Sequence, residues 1–110
     1  MFPRKAIVLA LTSSLFLLVL GPMQQTGRCE VSPTGETTVG LRNSSSCFLV
    51  FYIDGVNMGG VPSGDRSVDF NVSPGQHRLQ ALATVGTEKV WVRRTVSVSA
   101  GHVYTWEITD

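Results

Sequence analysis

His77 and His102 are the side chains best able to move a proton near neutral pH, and serines and carboxylates are spread along the same chain. A nucleophilic hydrolase would use one of them as the base for a serine or cysteine. Both, however, sit just after a glycine-containing turn, which predicts surface positions at the starts of strands. No G-x-S-x-G elbow is present, and Ser44-Ser45-Ser46 falls in an Asn-Ser loop before a strand. Asp65 and Asp69 are the carboxylates nearest in sequence that could share acid and base roles. The first reads as a turn residue, and the second alternates with Phe70, so both are expected as surface charges. Loop oxygens of Asp54, Asn57 and Asp65 would suit a calcium ion, but their spacing follows no EF-hand pattern. The sequence therefore assigns no catalytic residue, no cofactor and no metal ligand.

Cys29 and Cys47 are too few for a structural zinc site. In an oxidising compartment they are expected to pair, which would stabilise the fold by roughly 3 kcal/mol through loop closure. Two free thiols, or Cys29 left in a leader or acylated, are the alternatives. The compartment follows from the N-terminus, where Arg4 and Lys5 precede an apolar run over residues 6–20. This is the layout of a secretory signal; the run is short of the ~20 residues a spanning helix needs. Residues 1–25 are accordingly expected to be a signal helix or an uncleaved N-terminal anchor, through which the chain would associate with a membrane. Export to the periplasm, the cell surface or the medium follows. Leaving out Arg4 and Lys5, seven basic residues face eight acidic ones, and Arg93-Arg94 is the one basic pair among them. Nucleic acid is not an expected partner of so neutral a domain.

The elements behind these residues are read from periodicity. Residues 26–36 are rich in Gly, Ser, Thr and Pro without apolar alternation and predict a flexible leader. From residue 37 to 110 the alternation has a period of two throughout, and no stretch has the spacing of a helix. About seven strands are expected, near residues 37–42, 47–53, 56–61, 67–72, 77–84, 89–98 and 102–108. The second is a continuous apolar run, which suits a central strand covered on both faces. Asp54-Gly55, Pro74-Gly75 and Ala100-Gly101 supply the turns. Such spacing predicts an all-β fold, a small antiparallel β-sandwich of the Ig-like or transthyretin-like kind. In a domain this small Phe48, Phe51, Phe70, Trp91 and Trp106 are expected to carry much of the burial. Trp91 is singled out as partly exposed, because its parity with Arg93 sets it opposite Val90 and Val92. Asn43-Ser44-Ser45 and Asn71-Val72-Ser73 fit the glycosylation sequon, though Pro74 disfavours the second.

The order Ile53-Asp54-Gly55, Gly60-Val61-Pro62, Ser73-Pro74-Gly75-Gln76-His77 and Ala100-Gly101 resembles the PEGA-type domains of prokaryotic envelope and surface proteins. The similarity covers about residues 50–108. Val61-Pro62 stands where a Thr-Pro pair is usual, and Val85-Gly86-Thr87 replaces an aromatic-rich turn. The resemblance implies a carboxypeptidase-regulatory-like sandwich with no catalytic residues. The expected function is that of a non-catalytic envelope module binding a protein, a glycan or the cell wall, or else of a structural spacer. Trp91 and Arg93 are the expected binding surface; Tyr52, Trp91, Tyr104 and Trp106 would form a sugar-stacking or partner-binding strip only if several shared one exposed face, and core packing is the expectation for most of them.

Overall fold

Turn chemistry and two-residue alternation build the fold. The computed structural model describes residues 23–110. Among them are eight strands: β1 (Gln24–Val31), β2 (Thr38–Ser44), β3 (Leu49–Ile53), β4 (Val56–Val61), β5 (Arg66–Asn71), β6 (Gly75–Val85), β7 (Glu88–Val98) and β8 (His102–Thr109). Asp54 and Gly55 both adopt positive φ, 53° and 83°, which gives the two-residue reversal whose twist matches the strands it joins. Just beyond it β4 bulges opposite Phe51 and Tyr52, and the extra residue, Met58, turns in towards the core.

The strands form two four-stranded sheets. Sheet one has the order β1-β8-β2-β5, and sheet two β4-β3-β6-β7. Their inward side chains share one core, an arrangement compatible with a β-sandwich. Phe51 lies at its centre, with ring centroids 6.1 Å from Phe70 and 6.3 Å from Trp106, both pairs tilted. The indole N–H of the fully buried Trp106 donates to the Gln25 side-chain oxygen at 2.8 Å, so its one polar atom is satisfied.

Four expectations change. There are eight strands among the described residues and not about seven, because Gln24–Val31 forms β1 where a signal end and a flexible leader were expected. That segment shows no apolar alternation because almost nothing in it is buried; the main-chain edge of β8 holds it in register. Sheet one is also not purely antiparallel. β2 and β8 run parallel, since β3 to β7 all intervene between them and return the chain in the same direction. Phe48 lies outside the core, 53% exposed; Trp91, 40% exposed, has the partial exposure its parity predicts. Finally, β3 is central in its sheet but covered on one face only. The expected signal helix lies outside the described residues, and no helix among them is long and apolar enough to cross a membrane.

Candidate functional site

The uncovered half of β3 begins the site. Phe48, Val50 and Tyr52 alternate with the buried Leu49, Phe51 and Ile53, so they point away from the core. Strand register extends this set across the sheet: Val50 lies beside Leu82, and Leu82 beside Trp91. The next row runs from Tyr52 through Gln80 to Arg93. On the diagonal the rings of Tyr52 and Trp91 approach to 5.4 Å, and the Arg93 guanidinium lies 5.3 Å from the centre of the Trp91 ring. Phe48 lies across Gly60 on β4, where even a methyl group would collide with its ring. The result is an apolar and aromatic strip on the outer face of sheet two.

Charge separates this face from its counterpart. The outward positions of β6 and β7 include Arg78, Lys89 and Arg93 and no carboxylate. None of the three takes part in an ion pair among the described residues, whereas on sheet one Arg28 meets Glu30 at 3.2 Å and Arg42 meets Asp65 at 3.0 Å. The outer face of sheet one is polar, with a shallow depression of about 450 Å³ whose lining includes Arg28, Arg42, Ser67, Asp69 and Glu107. Beside it the Asp69 carboxylate fills the space left by the missing side chain of Gly40. That depression offers no aromatic ring. Trp91, Arg93 and Tyr52 are thus brought together, while Tyr104 and Trp106 turn inward and Val50, Leu82 and Phe48 were not foreseen on this face. The signal for them was the continuous apolar run itself, which needs a cover on both sides.

The second cluster joins two turns. Asp54 ends the β3 side of its hairpin, and one carboxylate oxygen accepts from the Arg78 N–H at 2.8 Å while the other meets His77 Nδ1 at 2.6 Å. His77 Nε2 faces the Ser73 carbonyl at 2.6 Å. Both facing atoms are acceptors, so both contacts are hydrogen bonds only when the ring carries two protons. The bond to Asp54 and then the bond to Ser73 raise the His77 pKa. The bond from His77 and then the Arg78 N–H hold Asp54 below the usual carboxylate range. His77 was expected on the surface and is instead 8% exposed. A histidine-aspartate pair resembles part of a hydrolytic triad, but here Nε2 is already engaged by a main-chain carbonyl and has no free lone pair for a nucleophile's proton. Its chemistry is that of a clamp.

The remaining candidates are dispersed. Cys29 and Cys47 are free thiols, and the expected disulfide is not formed. Cys29 lies beside Tyr104, while the carbonyl of Cys47 is bonded to Asn43, whose register partner is Ile108. About 13 Å of strand separates Tyr104 from Ile108, well beyond the ~7 Å that a disulfide spans. Asp65 bonds Arg42 and Ser44, whose contacts hold its pKa down, and Asn57 caps its own turn at the Gly59 N–H. Asp54, Asn57 and Asp65 therefore have separate partners and form no common ligand set. Pro74 and Gly75 lead into His77, and Gly101 ties its N–H to Thr37 and its carbonyl to the Ser32 N–H. Arg94, expected in solvent, is half-buried and donates to the Tyr104 hydroxyl at 2.9 Å. Asn43 of the first sequon is fully buried, and its amide nitrogen donates to the carbonyls of Cys47 and Val61, so it cannot carry a glycan in the folded chain. No family model, no curated protein and no solved structure matches the chain.

Proposed function

We propose that this chain is a non-catalytic, exported module of a cell envelope, built as a transthyretin-like or Ig-like sandwich, which docks on a protein, glycan or wall component through the outer face of sheet two. The observation that carries the reading is the contiguous apolar strip of Phe48, Val50, Tyr52, Leu82 and Trp91 across sheet two, whereas Val31, Val56 and Val90 are exposed elsewhere. Contiguous exposed apolar surface of this kind marks interaction sites in soluble domains. The engaged Nε2 of His77 supports a role without catalysis. Export is inferred from Arg4, Lys5 and the apolar run that follows. The PEGA-type reading gains support from the bond between Asp54 of the I-D-G turn and His77 of the P-G-x-H turn, which gives both motifs one structural purpose.

Retention of the purified chain on washed envelope fractions tests this reading. Trp91→Ala should reduce retention by about tenfold, the loss of one aromatic anchor at an interface, while leaving the circular dichroism spectrum unchanged. Equal retention of the variant would point to a spacer domain that uses no such face.

A further inference from the structure

The chemistry of the docking face narrows its ligand, and the following rests on the docking reading. We propose that the outer face of sheet two binds a carboxylate-bearing polysaccharide, with sugar rings lying on Tyr52 and Trp91 and acidic groups meeting Arg78, Lys89 and Arg93. The three cations share one face without a carboxylate, although the chain after residue 5 has more acidic than basic residues. Composition alone does not produce that segregation. On the other sheet Arg28 and Arg42 are paired with carboxylates, whereas here Lys89 and Arg93 take part in no ion pair among the described residues and Arg78 shares only the field of Asp54. Guanidinium groups match carboxylates in a two-point geometry, which favours uronate-type sugars over neutral ones.

The rings supply the second half of the recognition. Their π faces accept the C–H face of a sugar, and Gln80, between Tyr52 and Arg93, presents an amide that both donates to and accepts from hydroxyls. The row from Tyr52 to Arg93 crosses three strands, about 10 Å, which calls for a chain of sugars and not a single ring. An extended peptide would use a sheet edge and its main-chain bonds, and this site lies on the face. A membrane surface would be met by Phe48 and Trp91 alone, since Val50, Tyr52 and Leu82 are half-buried in the sheet.

Titration calorimetry of the full chain against alginate tests the proposal, with neutral dextran, polyglutamate and phosphatidylglycerol vesicles run in parallel. Alginate should bind and dextran should not. Trp91→Ala and Arg93→Gln should each weaken alginate binding by about tenfold, while Trp91→Phe keeps most of it and Arg93→Lys, which retains the charge but not the two-point geometry, falls in between, all four with unchanged circular dichroism. Equal binding of dextran would overturn the anionic ligand. Insensitivity to Trp91→Ala would reduce the effect to bulk charge attraction, and tighter binding of polyglutamate or vesicles would replace the sugar with another partner; either result overturns the proposal. If alginate does not bind while envelope retention still depends on Trp91, this inference fails and the docking reading stands. If neither depends on Trp91, both fail.

Discussion

Because a carboxylate and a carbonyl face its two nitrogens, His77 serves both turns only as the imidazolium. Its raised pKa means that the stabilisation is fully present below the unfolded value of about 6.5 and is lost as pH rises through the folded value. Asp54 acts in the opposite sense. Its lowered pKa contributes stability above the unfolded carboxylate value, lost as pH falls through the folded one. The urea midpoint should therefore fall between about pH 6 and about pH 9 in the natural chain and in His102→Gln, and that dependence should vanish in His77→Gln. Asn43 is a second residue whose role is internal. Asn43→Ala strips partners from the Cys47 and Val61 carbonyls and the Ser45 N–H, and urea unfolding should show a loss of about 3 kcal/mol. Asn43→Asp should cost more at neutral pH, because a carboxylate would then face two carbonyls. The sequence identified Asp54, Pro74 and Gly75 as turn residues, and His77 as the start of a strand, from local chemistry alone. It could not show that Asp54 and His77 bond to each other across 23 positions, nor that Asn43 turns inward, because neither fact has a local signature.

Strand β1 shows what alternation can and cannot reveal at the level of an element. In β2 and β8 inward and outward residues differ in polarity, so these strands were legible and their faces could be assigned, whereas β3 is apolar on both faces and was legible only as a strand. β1 has Gln25, Gly27, Cys29 and Val31 on its inward parity, a set too mixed to register as a period. Gly27 is required there by a close approach: a side chain would strike the Tyr104 hydroxyl and the Arg94 guanidinium that donates to it. A strand secured by its ladder and one indole bond, with little burial, opens more easily than the core strands. Amide hydrogen exchange should accordingly be faster along 24–31 than in β3 or the central part of β6, and equal protection would contradict the burial pattern.

Across the whole molecule the two outer faces differ in kind. Sheet one presents hydroxyls and internally paired charges, and sheet two presents rings and unpaired cations. The expectation of one aromatic-rich interior was right for Phe51, Phe70 and Trp106 and wrong for Phe48, while Trp91 has the partial exposure that its parity with Arg93 indicated. Burial could not be read from residue type, because the sequence states which side chains are apolar and not how many layers lie above them. The same two-sheet arrangement has a mechanical consequence, since β1 runs antiparallel to the last strand and Gln24 stands opposite Thr109. Tension applied between those two positions pulls at one end of the β1–β8 ladder, so its hydrogen bonds would break one after another, as a zipper opens. Under such load the first strand would peel away at low force and leave the other strands of the described residues in place.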